Sequence, residues 1–165
     1  IDVAKAAGFE TLIFVPGKIG ETIAKKIGLP AAAIIQTSNF IGFMLEAAAE
    51  RQIQEIILCG HIGKLIKVAA GIFHTHNRVA DARLETLAAY CAAEGMNAVE
   101  VQKILDATTT EVATEIIAAN NLERVYKKIA ARASYRAERY TFNKIRVETI
   151  LLNYAGKILN KEYFK

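Results

Sequence analysis

The sequence predicts an α/β protein in which a mainly parallel sheet occupies the first half and helices occupy the second. Three apolar, β-rich runs alternate with helix-like segments before residue 79. Strands that alternate with helices of this length indicate βαβ units, and nearly continuous apolar runs are typical of strands covered on both faces. From 79 to 143 helix signals replace the β-rich runs, and a last β-rich run follows. We therefore expect a Rossmann-like three-layer core with a helical second half and a C-terminal strand or hairpin.

The elements of the first half follow one another with short turns. Strands are predicted at 11–15, 33–37 and 55–59, and helices at 2–7, 18–27, 40–51 and 64–73. Gly8 and Gly28 close two of these helices, since glycine tolerates the left-handed conformation of a helix end. Ser38 or Asn39 is expected to cap the helix that begins at Phe40.

The second half contains two pairs with the spacing of a capping box. Asn97 with Glu100, and Thr108 with Glu111, place an acceptor three residues before a glutamate, and the threonine pair matches the motif better. A final strand is predicted at 145–152, a turn at 153–156 and a short returning strand at 157–159. The whole chain, 1–165, is predicted to form one α/β domain, with a sheet-forming part (1–78), a helical part (79–143) and the terminal strand region (145–159).

Composition excludes several classes of protein. The chain has 165 residues, of which 53% are apolar and 23% charged, a balance typical of globular proteins. No apolar run is long enough to cross a bilayer, and two cysteines, Cys59 and Cys91, are too few for a disulfide framework. We therefore expect a cytoplasmic protein that acts without a membrane. The net charge of +4 favours an anionic small molecule over nucleic acid. The chain begins at Ile1, not Met, so its start gives no information about targeting.

Three glycine-containing or capping segments follow the three predicted strands, at 16–21, 38–42 and 60–64. In parallel sheets, ligands bind beyond the carboxyl ends of the strands. The start of a helix there offers free backbone N–H groups and a positive dipole end to an anion or a carboxylate. For any single loop, the alternative is that its glycine only closes a turn or caps a helix. The three loops together predict a ligand pocket.

Two familiar nucleotide motifs are absent from these loops. In the segment 58–65, Leu58 stands where a Walker A loop needs its first glycine, and Leu65 where it needs Ser or Thr. The pair Gly17 and Gly20 lacks the additional glycine of a dinucleotide fingerprint.

All three histidines lie between residues 61 and 76. His61 follows the third strand and is placed to accept a proton or to donate a hydrogen bond. His74 and His76 lie near a predicted helix end, where the helix dipole alone favours histidine, so a structural role is an equal alternative. No cysteine or carboxylate stands at the close spacing of a structural zinc site, so we expect no metal held by the protein. Arg83 and Glu85 are interpreted as a solvated helix face.

Cations recur every four residues in the second half, at Arg124, Lys128, Arg132 and Arg136, and Arg139 extends this row. The spacing places the first four along one helix face. They form either a solvated stripe or a surface that meets a multiply anionic ligand or a partner subunit.

Four segments of the chain carry a resemblance to a known family. The segments 14–20, 37–45, 60–65 and 70–83 resemble the cobalt-precorrin-5B C(1)-methyltransferase family, which acts in the anaerobic, early-cobalt branch of cobalamin biosynthesis. The similarity runs from near Ile1 to at least Arg83, and less distinctly to the C-terminal strand. Family members carry a further N-terminal region that this chain lacks, so the chain resembles their later part.

The resemblance implies a reaction in which S-adenosylmethionine donates a methyl group to C-1 of a corrinoid, giving cobalt-precorrin-6A. Cobalt would be carried by this anionic substrate and not by the protein. His61 would take or relay a proton. The residues implied on the cofactor side are Gly17, Gly20, Asn39, Gly60 and Gly63. Those implied on the corrinoid side are Lys64, His74, His76, Asn77 and Asp81.

The same resemblance implies that the missing N-terminal region contributes to the site, and it is compatible with a homo-oligomer. Two alternatives remain at this point. One is a corrinoid- or cobalt-handling module without catalytic activity. The other is an unrelated anion-binding α/β enzyme that acts on a phosphorylated metabolite.

Overall fold

Four parallel strands form the sheet of the protein in a computed structural model that describes residues 1–160. The strands are β1 (Thr11–Val15), β2 (Ile34–Gln36), β3 (Glu55–His61) and β4 (Arg146–Leu152). Their order is β2-β1-β3-β4, and every neighbouring pair is parallel. The α/β class and the parallel sheet predicted from the sequence are therefore confirmed. The last five residues of the predicted domain 1–165 lie outside the described part of the chain.

Eight α-helices occur in residues 1–160. They are α1 (Asp2–Ala6), α2 (Lys18–Lys26), α3 (Ile41–Glu50), α4 (Ile62–Ala69), α5 (Arg83–Ala93), α6 (Ala98–Leu105), α7 (Thr110–Ala119) and α8 (Val125–Tyr140). Four of them, α5 to α8, fill the segment between β3 and β4 that the sequence predicts to be helical.

Helices pack on both faces of the sheet. On one face, the Ser134 hydroxyl of α8 lies 2.9 Å from the Thr149 hydroxyl of β4. Thr149 is in register with Leu58 of β3, so the next residue, Cys59, points to the opposite face. There Cys59 lies against α2, with its Sγ 3.8 Å from the Gly20 carbonyl oxygen. This helix–sheet–helix arrangement is the three-layer core expected from the sequence.

The junction between β3 and α4 differs from the prediction. The sequence predicts a loop at 60–64, but β3 continues through Gly60 to His61, and α4 begins at the next residue, Ile62. The strand is longer because Gly60 and His61 pair with Leu151 and Leu152 of β4. That partner lies about 90 residues further along the chain, beyond the reach of a local pattern. Helix α4 also ends at Ala69, four residues before the predicted end.

Two predicted helix caps are wrong. Helix α3 begins at Ile41 without a capping side chain, because the Asn39 carboxamide oxygen instead lies 3.4 Å from the Thr75 hydroxyl, which donates to it. Helix α7 is capped by Thr109, whose hydroxyl accepts from the Val112 backbone N–H at 3.3 Å, and not by Thr108. The Asn97 cap of α6 is confirmed, with its oxygen accepting from Glu100 N–H at 3.0 Å.

The end of the described chain turns back along β4. Leu152 forms an antiparallel bridge with Ile158, and the Leu159 N–H donates to the Leu151 carbonyl at 2.8 Å. The Asn160 side chain extends this pairing, since its oxygen accepts from Leu151 N–H at 2.8 Å. The predicted C-terminal return is confirmed as a short pairing along the edge of the sheet.

Candidate functional site

A cleft of about 430 Å³ lies where β1 and β3 end at their carboxyl sides. Six parts of the chain line it: the β1–α2 turn with the start of α2, the β2–α3 turn, the β3–α4 junction, the loop of residues 70–82 between α4 and α5 (the 70–82 loop), the first residue of α5, and the turn after β4. Its volume falls within the range of about 300–1,000 Å³ that is usual for small-molecule sites. The position agrees with the expectation that ligands bind beyond the carboxyl ends of parallel strands.

Gly17 and Gly20 both line the cleft, but for different physical reasons. A Cβ on Gly20 would lie 2.2 Å from the Cys59 carbonyl oxygen, so this glycine allows α2 to pack directly on the backbone of β3. A Cβ on Gly17 would meet nothing within 4 Å. The backbone at Gly17 is therefore accessible from the cleft, whereas Gly20 is required for the packing of α2 on β3.

Gly60 and Gly63 also differ in their placement. Gly60 is not among the residues that line the cleft, and a Cβ there would lie 2.7 Å from the ring of Pro16. Gly63 lines the cleft, and its Cβ would lie 3.0 Å from His61 Nδ1 and 3.1 Å from the Thr110 hydroxyl. Both glycines thus permit close packing around the β3–α4 junction.

The three helix starts near the cleft are not equally available to a ligand. In α4 the Gly63 N–H already donates to His61 Nδ1 at 3.1 Å, and in α3 the Gly42 N–H donates to the Phe73 carbonyl at 3.1 Å. Helix α2 begins after Gly17 without a capping side chain. Its first backbone N–H groups are consequently the best placed of the three to meet an anion or a carboxylate.

His61 is held by two hydrogen bonds. Its Nδ1 accepts from Gly63 N–H, so the neutral ring carries its proton on Nε2. Nε2 in turn donates to Glu111 Oε1 at 2.8 Å. The same carboxylate oxygen accepts from the Tyr154 backbone N–H at 3.2 Å, and the Tyr154 ring stacks on His61 with 4.1 Å between centroids. Glu111 thereby joins the β3–α4 junction, the start of α7 and the turn after β4.

A buried lysine of α4 anchors the 70–82 loop through hydrogen bonds. Lys67 of α4 is 0% exposed, and its ammonium donates to the Thr75 carbonyl at 3.1 Å, Asn77 Oδ1 at 2.6 Å and the Ala80 carbonyl at 2.9 Å. Burial lowers the pKa of Lys67, and the charge of Asp81 partly opposes this effect. Three N–H groups meet three acceptors, as a buried ammonium requires.

Some of the loop residues that were predicted to face the corrinoid line the cleft, and others do not. Thr75, His76 and Asn77 line it, although Asn77 also bonds to Lys67. His76 is exposed, and its Nδ1 accepts from Arg78 N–H at 3.1 Å. His74 does not line the cleft: its ring lies edge-on to Phe40 with 5.0 Å between centroids.

Asp81 does not line the cleft, but Arg83, to which it is hydrogen-bonded, does. Arg83 lines the cleft, and its Nε and Nη2 donate to the two oxygens of Asp81 at 2.7 Å each. The Arg83 hydrogen bond lowers the pKa of Asp81. Arg83, interpreted from the sequence as part of a solvated face, is half-buried and lines the cleft because α5 begins there, whereas Glu85 is exposed.

Lys64 and Asn39 are the last of the site residues predicted from the sequence. Both line the cleft. The Lys64 ammonium donates to the Pro16 carbonyl at 2.7 Å, and burial lowers the pKa of Lys64. The cations that line the cleft are Lys18, Lys64 and Arg83, of which Lys18 pairs with Glu21 and Arg83 with Asp81.

The basic row of α8 does not contribute to this cleft. None of its members lines it. Arg124 and Lys128 both pair with Glu94, the residue directly after α5, with 2.5 Å between Arg124 Nε and the carboxylate. The Arg132 guanidinium lies 5.1 Å from the centre of the Tyr135 ring. These contacts match the alternative in which the row is largely a solvated stripe.

Sequence reasoning missed Lys67, Glu111 and Tyr154. A lysine within the apolar stretch 65–69 was the available signal for Lys67. Glu111 was interpreted only as part of a capping box, and nothing local marked Tyr154. In residues 1–160, no group of three or more His, Cys, Asp or Glu is placed to hold a metal ion. None of the helices described is both long enough and apolar enough to span a bilayer.

The fold and the cleft define an α/β protein with a cleft of small-molecule size at the carboxyl edge of a parallel sheet. The family profile described as "CbiD, C-terminal domain" matches residues 74–163. The chain therefore belongs to the CbiD family.

Curated relatives extend this similarity over nearly the whole chain. A cobalt-precorrin-5B C(1)-methyltransferase of Moorella thermoacetica is 51% identical over 98% of this chain and 45% of its own length. Proteins of the same name from Desulfitobacterium hafniense and Methanococcus vannielii are 44% and 43% identical, over 96% and 98% of this chain and 41% and 44% of their lengths. The chain thus spans less than half the length of these relatives. No solved structure matches it.

Proposed function

We propose that this chain is the part of a cobalt-precorrin-5B C(1)-methyltransferase that carries the site for S-adenosylmethionine. The observation that supports this most strongly is the 51% identity to a relative of that name over 98% of the chain. The reaction would methylate C-1 of cobalt-precorrin-5B and give cobalt-precorrin-6A, within anaerobic cobalamin biosynthesis in the cytoplasm. The cobalt belongs to the substrate.

The residues of the cleft fit S-adenosylmethionine. The uncapped start of α2 and the open backbone at Gly17 suit the carboxylate of its methionine part. The cleft volume of about 430 Å³ suits a nucleoside-sized ligand and is too small to enclose a corrinoid macrocycle. The macrocycle would then lie across the mouth of the cleft, where the remainder of the longer protein can cover it.

On this proposal S-adenosylmethionine supplies an electrophilic methyl group on sulfur. The protein's own task is alignment and the exclusion of water. Lys64, His76, Asn77 and Arg83 would face the carboxylates of the corrinoid at the mouth. Substrate contacts of His74 and Asp81 stay predictions that would act through the 70–82 loop.

His61 is proposed as the group that takes or relays a proton. Both ring nitrogens already have partners, so proton uptake at Nδ1 requires it to release the Gly63 N–H. Glu111 would then stabilise the imidazolium by accepting from Nε2. The role of His61 is therefore tied to that of Glu111.

Mass spectrometry of the product tests the proposal. The longer protein that contains this chain is incubated with the corrinoid substrate and S-adenosylmethionine labelled in its methyl group. We expect one labelled methyl group at C-1. Tight corrinoid binding without methyl transfer would instead favour a non-catalytic corrinoid module, and the proposal would then be wrong.

A further inference from the structure

We propose that the ring of Tyr154 is the stacking surface for the adenine of S-adenosylmethionine, an inference that rests on the function proposed above. Tyr154 is 63% exposed, yet it lines the cleft. A large aromatic side chain that a fold leaves outside its core, inside a cleft, is typical of a residue that contacts a ligand.

The Tyr154 ring is fixed before any ligand arrives. One of its faces stacks on His61, with an angle of 22° between the two rings. Its backbone N–H donates to Glu111 Oε1 at 3.2 Å. A ring held in this way loses little conformational freedom when a ligand stacks on it, so more of the stacking energy appears as affinity.

The turn that carries Tyr154 is itself closed by hydrogen bonds. The Lys157 N–H donates to Asn153 Oδ1 at 2.8 Å, and the Asn153 N–H donates to the Lys157 carbonyl at 3.2 Å. A Gly156 N–H to Asn153 carbonyl bond of 3.0 Å tightens it further. The turn therefore holds the ring at the cleft and does not depend on the ligand for its shape.

Adenine is the part of the ligand that matches this surface. It is flat and aromatic, and stacking on a tyrosine face does not require hydrogen-bonding partners in the protein. The methionine carboxylate has its own partner in the start of α2, on the Gly17 side of the cleft. The two ends of one ligand would thus be recognised by two separate parts of the chain.

Calorimetry with S-adenosylhomocysteine tests the role of Tyr154 in the longer protein. We expect Tyr154→Phe to bind within about twofold of wild type, and Tyr154→Leu to bind roughly 5- to 150-fold more weakly, the usual range for loss of one base–aromatic stack. Tyr135→Leu is the matched control, because Tyr135 is 48% exposed on α8, outside the cleft. Homocysteine alone, which lacks adenine, should bind wild type and Tyr154→Leu equally.

A tryptophan reporter gives a second readout that a merely structural role would not change. These 165 residues contain no Trp, so Tyr154→Trp adds the one indole in this part of the longer protein, and the fluorescence of the unmutated longer protein is subtracted as background. When S-adenosylhomocysteine is added, adenine stacking should quench the indole fluorescence of the Tyr154→Trp variant more than that of Tyr135→Trp. Equal affinity of wild type and Tyr154→Leu, or equal quenching in the two tryptophan variants, would overturn this inference and leave the proposed function intact. No binding of S-adenosylhomocysteine by wild type would overturn both.

Discussion

Replacing the buried Lys67 by methionine tests whether this lysine organises the cleft. The methionine chain has nearly the shape of the lysine stem, so the change removes the ammonium and creates little empty space. Three acceptors lose their donor. The Thr75 carbonyl is buried, and leaving it unpaired costs about 2 kcal/mol. The other two acceptors are only partly buried and can bond to water, which limits their joint cost to about 1 kcal/mol.

One effect of Lys67→Met acts in the opposite direction. Removing the charge also removes the free energy of keeping an ammonium away from water, the same burial that lowers the pKa of Lys67. We therefore expect a net loss of about 2–3 kcal/mol in the free energy of unfolding. In a chain of 165 residues this corresponds to a fall of about 5–10 °C in Tm.

Hydrogen exchange measured by mass spectrometry locates the effect of Lys67→Met. Amides of the 70–82 loop should exchange faster than in wild type, and those of β3 should change only as far as global stability falls. Lys26→Met serves as the control, because Lys26 is exposed on α2. A Tm within about 1 °C of wild type, together with unchanged loop exchange, would refute the idea that Lys67 holds the loop.

Three further changes separate packing, charge and chemistry. Gly20→Ala should lower the free energy of unfolding by about 1–3 kcal/mol or more, because its Cβ would meet backbone at 2.2 Å. Gly17→Ala, whose Cβ would meet nothing within 4 Å, should leave stability unchanged. Equal stability of the two variants in denaturant titration would contradict this. The pKa of Glu21 is lowered to about 2, chiefly by its hydrogen bond from Lys25. Ionised Glu21 therefore stabilises the fold above about pH 4.5, and this contribution is lost as the pH falls toward 2. Glu21→Gln should therefore make acid unfolding less steep in that window, and an identical acid profile would show that the pairing is unimportant. His61→Asn keeps an N-cap acceptor for α4 but removes the imidazole, so Tm should fall less than in His61→Ala. Methyl transfer should be lost in both variants. Full activity of the asparagine variant would exclude proton transfer by His61.

The order of strands and helices could be predicted because its signals are local. The strand 11–15 and the helix that follows it are marked by an apolar β-rich run, a proline–glycine turn and helical spacing, all within 16 residues. The prediction failed at the β3–α4 junction, where pairing with β4 extends the strand through two residues that looked like a turn. Tertiary pairing overrode a local turn signal there.

The candidate site could be predicted only in part for the same reason. The segments at 16–21 and 60–64 were expected at the cleft, and Gly17, His61 and Lys64 lie there. Glycine by itself did not show whether it approaches a ligand or a neighbouring backbone, so Gly20 and Gly17 looked alike in the sequence.

By itself, the sequence determined the α/β class, the family and the general region of the cleft, because hydrophobic periodicity, turn residues and motif order are properties of neighbouring residues. Only the tertiary structure decided which side chains meet. Glu111 reaches His61 across 50 positions, and Tyr154 is stacked on that ring from the turn after β4. Such contacts depend on strand order and helix packing, which arise from the burial of the whole core and leave no mark in any short stretch of sequence.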